Sequence, residues 1–189
     1  MVDLTPARAI GVSAAKIAAE NYLWARVRAQ AAWEAGRGSI RPLPDEAEPS
    51  EVLRSQSDYD TAIAECRRLK LPLHHDPPKN WDALGAVSLV LHSVERNARV
   101  LDAGAARYSP ILPWLYLYGL RSLVGVNLEF TRTRSHGPVR YEPGDITAMA
   151  FADQSFDAMT CMSVIEHGVP LEPFAAEAAR VLRPGGSLA

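Results

Sequence analysis

The chain has 189 residues, of which 48% are hydrophobic and 22% are charged, and its formal net charge is −2. A chain of this length can bury about 70% of its unfolded surface, so we expect one full domain with an appendage. A net charge this close to zero excludes a broad basic field. It therefore disfavours nucleic acid as the principal partner, although a local basic patch stays open.

The cysteines and the apolar runs indicate the compartment. Cys66 and Cys161 are far apart, and Cys161 lies in an apolar run typical of a buried strand, which disfavours a disulfide framework. No apolar run reaches the eighteen or so residues of a membrane span, and the N-terminus lacks the pattern of a secretory signal. We expect a cytoplasmic protein with no membrane segment.

Residues 1–50 predict a helical arm and a linker. Alanine-rich sequence from about 5 to 35 carries large apolar side chains at near-helical spacing, which predicts one or two amphipathic helices. Between residues 39 and 50, three prolines and several acids resist regular structure and indicate a linker. The arm is therefore a candidate for a separately mobile element.

Residues 51–98 predict a helical lead-in to the core domain. We expect one helix over residues 51–70, with Ser57 or Asp58 as its cap, because apolar residues recur on one face. A second helix is expected from about Asp82 to Glu95, where apolar residues again follow core spacing. This second helix leads directly into the core, which we place at residues 99–189.

The segment LPLHHDPPKNWD, between those two helices, contains two adjacent histidines and an acid. Adjacent side chains in an extended segment point in opposite directions, so we favour a solvated loop and expect no metal site. Lys79, Asn80 and Trp81 then combine a basic, an amide and an aromatic side chain. Two interpretations remain open for them: the rim of a pocket, or a tryptophan that covers its own helix.

The segment from Arg99 to Pro110, RVLDAGAARYSP, is typical of a buried strand that ends in an acid and opens into a small-residue turn. Asp102 stands at the end of the strand, and the loop around Gly104 lets a ligand approach the backbone. Residues 111–119 then predict a helix whose amino end points at that ligand. Dinucleotide-binding loops carry three glycines, whereas this loop carries one, so the loop alone is weak evidence for a nucleotide site.

A second strand is expected from Ser122 to Val126 and ends in polar residues. In a doubly wound sheet this strand end lies beside the first loop, where an acid or an amide can accept hydrogen bonds from ribose hydroxyls. Asn127 stands at the usual acidic position, and Glu129 follows two residues later, so both are candidates. The polar residues 131–138 predict a loop or a short helix.

A third strand is expected from Val139 to Glu142, followed by Asp145 and Ile146. An acid at a strand end can accept from an exocyclic amine, and an apolar neighbour can pack on a flat ring. An apolar run then predicts a fourth strand over residues 158–165, and the turn at residues 183–186 introduces a fifth. This alternation of strands and helices predicts an α/β fold with a parallel sheet.

From about Arg99 to its end, roughly half of the chain resembles the class I S-adenosylmethionine-dependent methyltransferases and is similar to their type 11 group. The resemblance is carried by four segments in order: VLDAGAA, LVGVNLE, GDITAMAFADQSFDAMTCMSVIEH and FAAEAARVLRPGG. It implies a Rossmann-like, doubly wound, mostly parallel sheet with helices on both faces. It also implies methyl transfer from an S-adenosylmethionine cofactor.

The resemblance implies a role for each matched residue. The amino-acid end of the cofactor is expected at Asp102, Gly104 and Ala105. The ribose is expected at Asn127 or Glu129, and the adenine at Asp145 and Ile146. Glu166 and His167 are expected at the mouth, near the transferring methyl group. An oxygen acceptor requires a base, for which His167 is the leading candidate. The alternative is a histidine that only hydrogen-bonds its own loop.

The family's sheet has seven strands, whereas this sequence ends at the start of the fifth. We therefore expect a truncated sheet, or one completed by a second copy or by the N-terminal helices, which makes self-association a reasonable expectation. The favoured function is methyl transfer to a small-molecule or sugar-type acceptor. A degenerate methyltransferase-like module without activity is the competing hypothesis, and the missing glycine triplet disfavours a nicotinamide-dependent oxidoreductase.

Overall fold

A computed structural model describes residues 5–48 and 52–189 of the chain. Within them the α-helices span Thr5–Gly36 (α1), Gln56–Arg68 (α2), Pro78–Ser93 (α3), Ile111–Leu117 (α4) and Leu171–Val181 (α5). The strands span Arg99–Ala103 (β1), Ser122–Asn127 (β2), Arg134–His136 (β3), Val139–Pro143 (β4), Phe156–Thr160 (β5) and Leu182–Leu188 (β6). A short 3-10 helix covers Ile165–His167. No helix in these two ranges is long and apolar enough to cross a membrane.

The strands form one sheet in the order β3-β4-β2-β1-β5-β6. Only the β3–β4 pair is antiparallel, so the other strands end at the same edge of the sheet. In the register of β1, Asp102 lies opposite Gly125 of β2 and Thr160 of β5. The expected Rossmann-like, mostly parallel sheet is therefore confirmed, with Asp102 and Asn127 at its carboxyl edge.

Two apolar clusters cover the two faces of the sheet. Side chains alternate along β1, so Val100 joins the cluster under α1 to α4, whereas Leu101 and Ala103 join the cluster under α5. Such a doubly covered strand explains why β1 is apolar on consecutive residues. The helices consequently lie on both faces, as the resemblance implies.

The N-terminal helix is packed into this core. Trp24 and Val27 of α1 are fully buried, in the same cluster as α4. The Trp24 ring stacks on the ring of His136 in β3, with centroids 5.0 Å apart and planes 8° apart. Helix α1 therefore covers the β3–β4 end of the sheet instead of forming a separately mobile arm.

Two local expectations are wrong. Residues 131–138 contain strand β3, which the polar sequence Arg134–His136 did not indicate because Arg134 and His136 bind the Glu20 carboxylate of α1. The cap of α2 is Ser55, whose Oγ accepts from the backbone N–H of Asp58 at 3.2 Å. The Asp58 carboxylate accepts in return from the Ser55 N–H at 3.0 Å, which completes a capping box.

Two element boundaries also differ from the expected ones. Helix α3 begins at Pro78 instead of Asp82, because a proline fits the first turn of a helix, where its missing N–H has no intrahelical partner. Strand β5 ends at Thr160 instead of Ile165. The residues after it turn away from the sheet, with Ser163 in the left-handed region at a φ of 54°.

Candidate functional site

A cleft of about 670 Å³ opens at the carboxyl edge of the parallel strands. Its walls are the loop after β1, the end of β2, the residues after β5, part of α1, and the segment that leads into α3. Of the residues expected to form a site, these line the cleft: Asp102, Gly104, Ala105, Asn127, Glu129, Glu166 and His167. Asp145 and Ile146 do not line it.

Asp102 places a buried carboxyl group at the floor of the cleft. The residue is only 2% exposed, and its Oδ1 accepts from the Thr160 hydroxyl at 2.8 Å. Its Oδ2 has no hydrogen-bond partner among the residues that the structure describes. Burial raises the pKa of Asp102 to about 7, with the Thr160 hydrogen bond opposing the shift. The cleft therefore contains an acceptor that lacks a donor.

Gly104 makes the tight turn that follows β1. Its φ is +84°, and its N–H donates to the Val126 carbonyl at 2.8 Å. A Cβ at this position would lie 2.3 Å from a methyl group of Val164, which is closer than real contacts allow. A glycine is thus required both for the backbone conformation and for the close approach of the two loops.

Asn127 and Glu129 play different parts at the end of β2. The Asn127 side-chain amide donates to the carbonyls of Gly104 and Ala105 at 3.0 and 3.1 Å, and its oxygen accepts from the Glu129 N–H at 2.8 Å. Asn127 is therefore committed to bracing the loop after β1. The Glu129 side chain is 60% exposed and lies 3.1 Å from Lys16 Nζ, so its carboxylate remains accessible from the cleft.

Asp145 and Ile146 lie beyond the carboxyl end of β4, which neighbours β2. The exposed Asp145 carboxylate accepts from the N–H and the hydroxyl of Thr147 at 2.8 and 2.7 Å, and these bonds lower its pKa. Ile146 is buried in the core cluster under α5. The structure thus places both residues at the carboxyl edge of the sheet but outside the cleft lining.

Glu166 and His167 are exposed on one wall of the cleft, at the end of the short 3-10 helix. Lys79 and Asp82 belong to α3 and line another wall of the cleft. Lys79 Nζ lies 3.9 Å from an Asp82 carboxylate oxygen and also donates to the hydroxyl of Ser163. Burial raises the pKa of Asp82, and the Lys79 charge partly offsets this shift. The mouth thus presents charged groups on two of its walls.

Three aromatic rings at this mouth were not predicted from the sequence. His74, His75 and Tyr108 all line the cleft, with ring centroids between 4.3 and 5.5 Å apart. The expected solvated loop is therefore part of a wall, and buried Asn80 fixes it by accepting from the His74 N–H at 2.7 Å. The sequence around His74 and His75 does not predict this contact, because Tyr108 is distant from them in the sequence. The described residues contain no group of three ligands suited to a metal ion.

Comparisons with known proteins agree with this geometry. Residues 101–189, just under half of the chain, match the family described as Methyltransferase domain. No curated protein matches the chain. That C-terminal part therefore resembles a methyltransferase domain.

The chain is also similar to several solved structures. The YcgJ protein of Bacillus subtilis is 25% identical, with a TM-score of 0.46, and the alignment covers 55% of this chain and 49% of YcgJ. A Haloferax volcanii methyltransferase complexed with the activator Trm112 is 19% identical, with coverages of 71% and 58% and a TM-score of 0.47. A TehB-like methyltransferase of Corynebacterium glutamicum is 18% identical, with coverages of 71% and 73% and a TM-score of 0.45. The chain spans about half the length of the first of these proteins.

Proposed function

We propose that the chain binds S-adenosylmethionine in the cleft and transfers its methyl group to a small-molecule or sugar-type acceptor. The observation that carries this proposal is Asp102 beside the Gly104 turn, whose buried Oδ2 has no donor among the described residues. An unsatisfied buried acceptor costs about 1–3 kcal/mol, which a donor from a ligand recovers. The ammonium group of an amino-acid moiety is such a donor.

The remaining cofactor contacts follow from the ends of the neighbouring strands. Glu129 offers a carboxylate with two acceptor oxygens to the ribose hydroxyls, whereas the amide of Asn127 is already used within the loop. We therefore assign the ribose to Glu129 and give Asn127 the role of holding the loop. Asp145 and Ile146, at the next strand end, are our proposed adenine contacts.

The charge of the cleft supports a cationic ligand. Its lining contains more carboxyl groups than ammonium groups: Asp76, Asp82, Asp102, Glu129 and Glu166 against Lys16 and Lys79. In a cleft with low-dielectric walls, charges of one sign focus the field on the opposite charge. S-adenosylmethionine has a net positive charge, which its demethylated product lacks, so this field favours the methyl donor over the product.

The chain's own residues supply alignment and a proton acceptor. When bound, the cofactor supplies an already activated methyl group, so alignment and exclusion of water provide most of the acceleration. A hydroxyl acceptor must also lose a proton. His167 stands on the cleft wall beside Glu166 and is our proposed base.

The polar mouth supports a small acceptor rich in hydroxyl groups. Asp82 and Glu166 accept hydrogen bonds, Lys79 donates them, and the rings of His75 and Tyr108 offer a flat surface. The excess of carboxyl groups opposes polyanions, so we do not propose nucleic acid as the acceptor.

We propose a cytoplasmic setting, which the two free cysteines support. We also propose a homo-oligomer that forms through the outer edge of β6.

The proposal is tested first by calorimetric titration with S-adenosylhomocysteine, using NAD as the control ligand. We expect micromolar binding of the first ligand alone, and an Asp102→Asn variant that binds at least about tenfold more weakly. Absence of binding to the unaltered chain refutes the cofactor assignment and leaves the degenerate module. Binding of NAD instead favours an oxidoreductase.

Transfer is then measured with S-adenosylmethionine labelled on its methyl group and a panel of sugars, amino sugars and nucleic acids. We expect label in the sugar fractions, and a His167→Ala variant that loses about 100-fold or more in kcat while keeping its affinity for S-adenosylhomocysteine. Label in nucleic acid alone refutes the acceptor class. Unchanged kcat in the variant refutes the role of His167.

A further inference from the structure

We propose that helix α1 is a functional part of the cofactor site, with Glu20 as the positioning residue that holds the loop after β1 through Arg107. This inference rests on the cofactor binding proposed above. Helix α1 lies entirely outside the matched residues 101–189, so the family match assigns it no role.

Glu20 is a buried carboxylate with three cationic or histidine partners. The residue is 1% exposed, and its two oxygens lie 3.2 Å from Arg107, 3.0 Å from Arg134 and 3.0 Å from His136. Burial alone would raise its pKa, but these three donors together hold the pKa below its ordinary value. A carboxylate buried this deeply and fully paired fixes the positions of the groups that it binds.

Arg107 connects this cluster to the cofactor loop. Its neighbours Ala106 and Tyr108 both line the cleft, whereas Arg107 points away from the cleft to Glu20. The ion pair therefore holds the outer side of a loop whose inner side faces the proposed ligand. Without it, the loop has to be ordered when the ligand binds, and such ordering lowers affinity.

The same helix also reaches the cleft directly. Lys16 lies one helical turn before Glu20, lines the cleft and places its Nζ 3.1 Å from the carboxylate of Glu129. Helix α1 thus contacts both of the strand ends, after β1 and after β2, at which we place the cofactor. Two independent contacts from one rigid helix support a positioning role.

Arg134 provides a matched control for Arg107. Both guanidinium groups bind the same Oε2 of Glu20, and both lie 5.5 Å from the centroid of the Phe130 ring. Arg107 belongs to the cofactor loop, whereas Arg134 belongs to β3, away from the cleft lining. Removing either arginine breaks a similar ion pair with Glu20, but only the change at Arg107 affects the cofactor loop.

The test compares the variants Arg107→Met and Arg134→Met by thermal unfolding and by calorimetric titration with S-adenosylhomocysteine. We expect similar losses of melting temperature in both. We expect the dissociation constant to rise about tenfold or more in Arg107→Met and about twofold or less in Arg134→Met. Arg107→Lys, which keeps the charge, should recover part of the affinity and serves as the readout if Arg107→Met does not fold.

The outcomes separate the two proposals. If the unaltered chain does not bind S-adenosylhomocysteine, the proposed function fails. If it binds, and the two arginine variants lose affinity equally or neither loses it, the positioning role of Glu20 and Arg107 is overturned. A raised KM for S-adenosylmethionine with unchanged kcat in Arg107→Met supports the role, because a loss of folded enzyme would lower kcat and leave KM unchanged.

Discussion

Replacing Gly104 with alanine tests the geometry of the turn at the centre of the cleft. Two separate costs are expected: a positive φ costs a residue with a Cβ about 1–2 kcal/mol, and forcing a methyl group into a packed contact costs about 1–3 kcal/mol. The second cost arises because the new Cβ lies 2.3 Å from Val164. We therefore expect Gly104→Ala to lower the free energy of unfolding by about 2–5 kcal/mol.

Gly119 separates the two costs. Its φ is +97°, but a Cβ there meets nothing within 4 Å, so Gly119→Ala should lose only about 1–2 kcal/mol. Val164→Ala combined with Gly104→Ala removes the two closest contacts and leaves the Cβ of residue 164 at 3.1 Å, so the pair should show a favourable coupling energy in a double-mutant cycle. Urea unfolding followed by circular dichroism measures Gly104→Ala, Gly119→Ala, Val164→Ala alone and the double variant. Equal losses for the two glycine variants, or zero coupling with Val164, would refute the close packing of the two loops.

Two further predictions concern pH and helix capping. Burial raises the pKa of Asp102 in the folded chain to about 7, whereas an aspartate in the unfolded chain has a pKa of about 4. Between these two pH values the folded chain holds a proton that the unfolded chain has released. The free energy of unfolding therefore falls as the pH rises from about 4 to about 7. Asp102→Asn should flatten this fall in urea midpoints measured between pH 5 and pH 8, and an unchanged slope contradicts the assignment. Ser55→Ala should cost about 1 kcal/mol through loss of the α2 cap, whereas Ser57→Ala should cost less than half of that. Equal urea midpoints for the two serine variants would argue against the capping box.

The central strands could be predicted because their signals are local. A strand covered on both faces must be apolar on consecutive residues, and the polar residue that ends it is visible in the sequence, as at Asp102 and Asn127. Strand β3 could not be predicted in this way. Its residues are polar because they meet the buried carboxylate of Glu20, a contact between segments more than one hundred residues apart.

The site was partly predictable for the same reason. Strand order alone brings the loop around Gly104 together with Asn127 and Glu129, because parallel strands end at one edge. The sequence left Asn127 and Glu129 as equal ribose candidates. Geometry distinguishes them, because the Asn127 amide is already bonded to two carbonyls of the loop. Whether a side chain hydrogen-bonds to this loop depends on the positions of backbone atoms, which the hydrophobic periodicity of the sequence does not describe.

The two sides of the cleft depend on different parts of the chain, which bears on how its specificity arises. The proposed cofactor side comes from the ends of the parallel strands, which meet at one sheet edge, and helix α1 contacts the loop after β1 through the Glu20–Arg107 ion pair. The proposed acceptor side depends on Lys79 and Asp82 in α3, upstream of the matched residues, and on Tyr108 packed against the histidine segment. Changes in these upstream residues can alter the acceptor while leaving the strand ends intact. Acceptor choice should therefore vary with α3 and the histidine segment, whereas cofactor affinity should depend on the strand ends and on their contacts with α1.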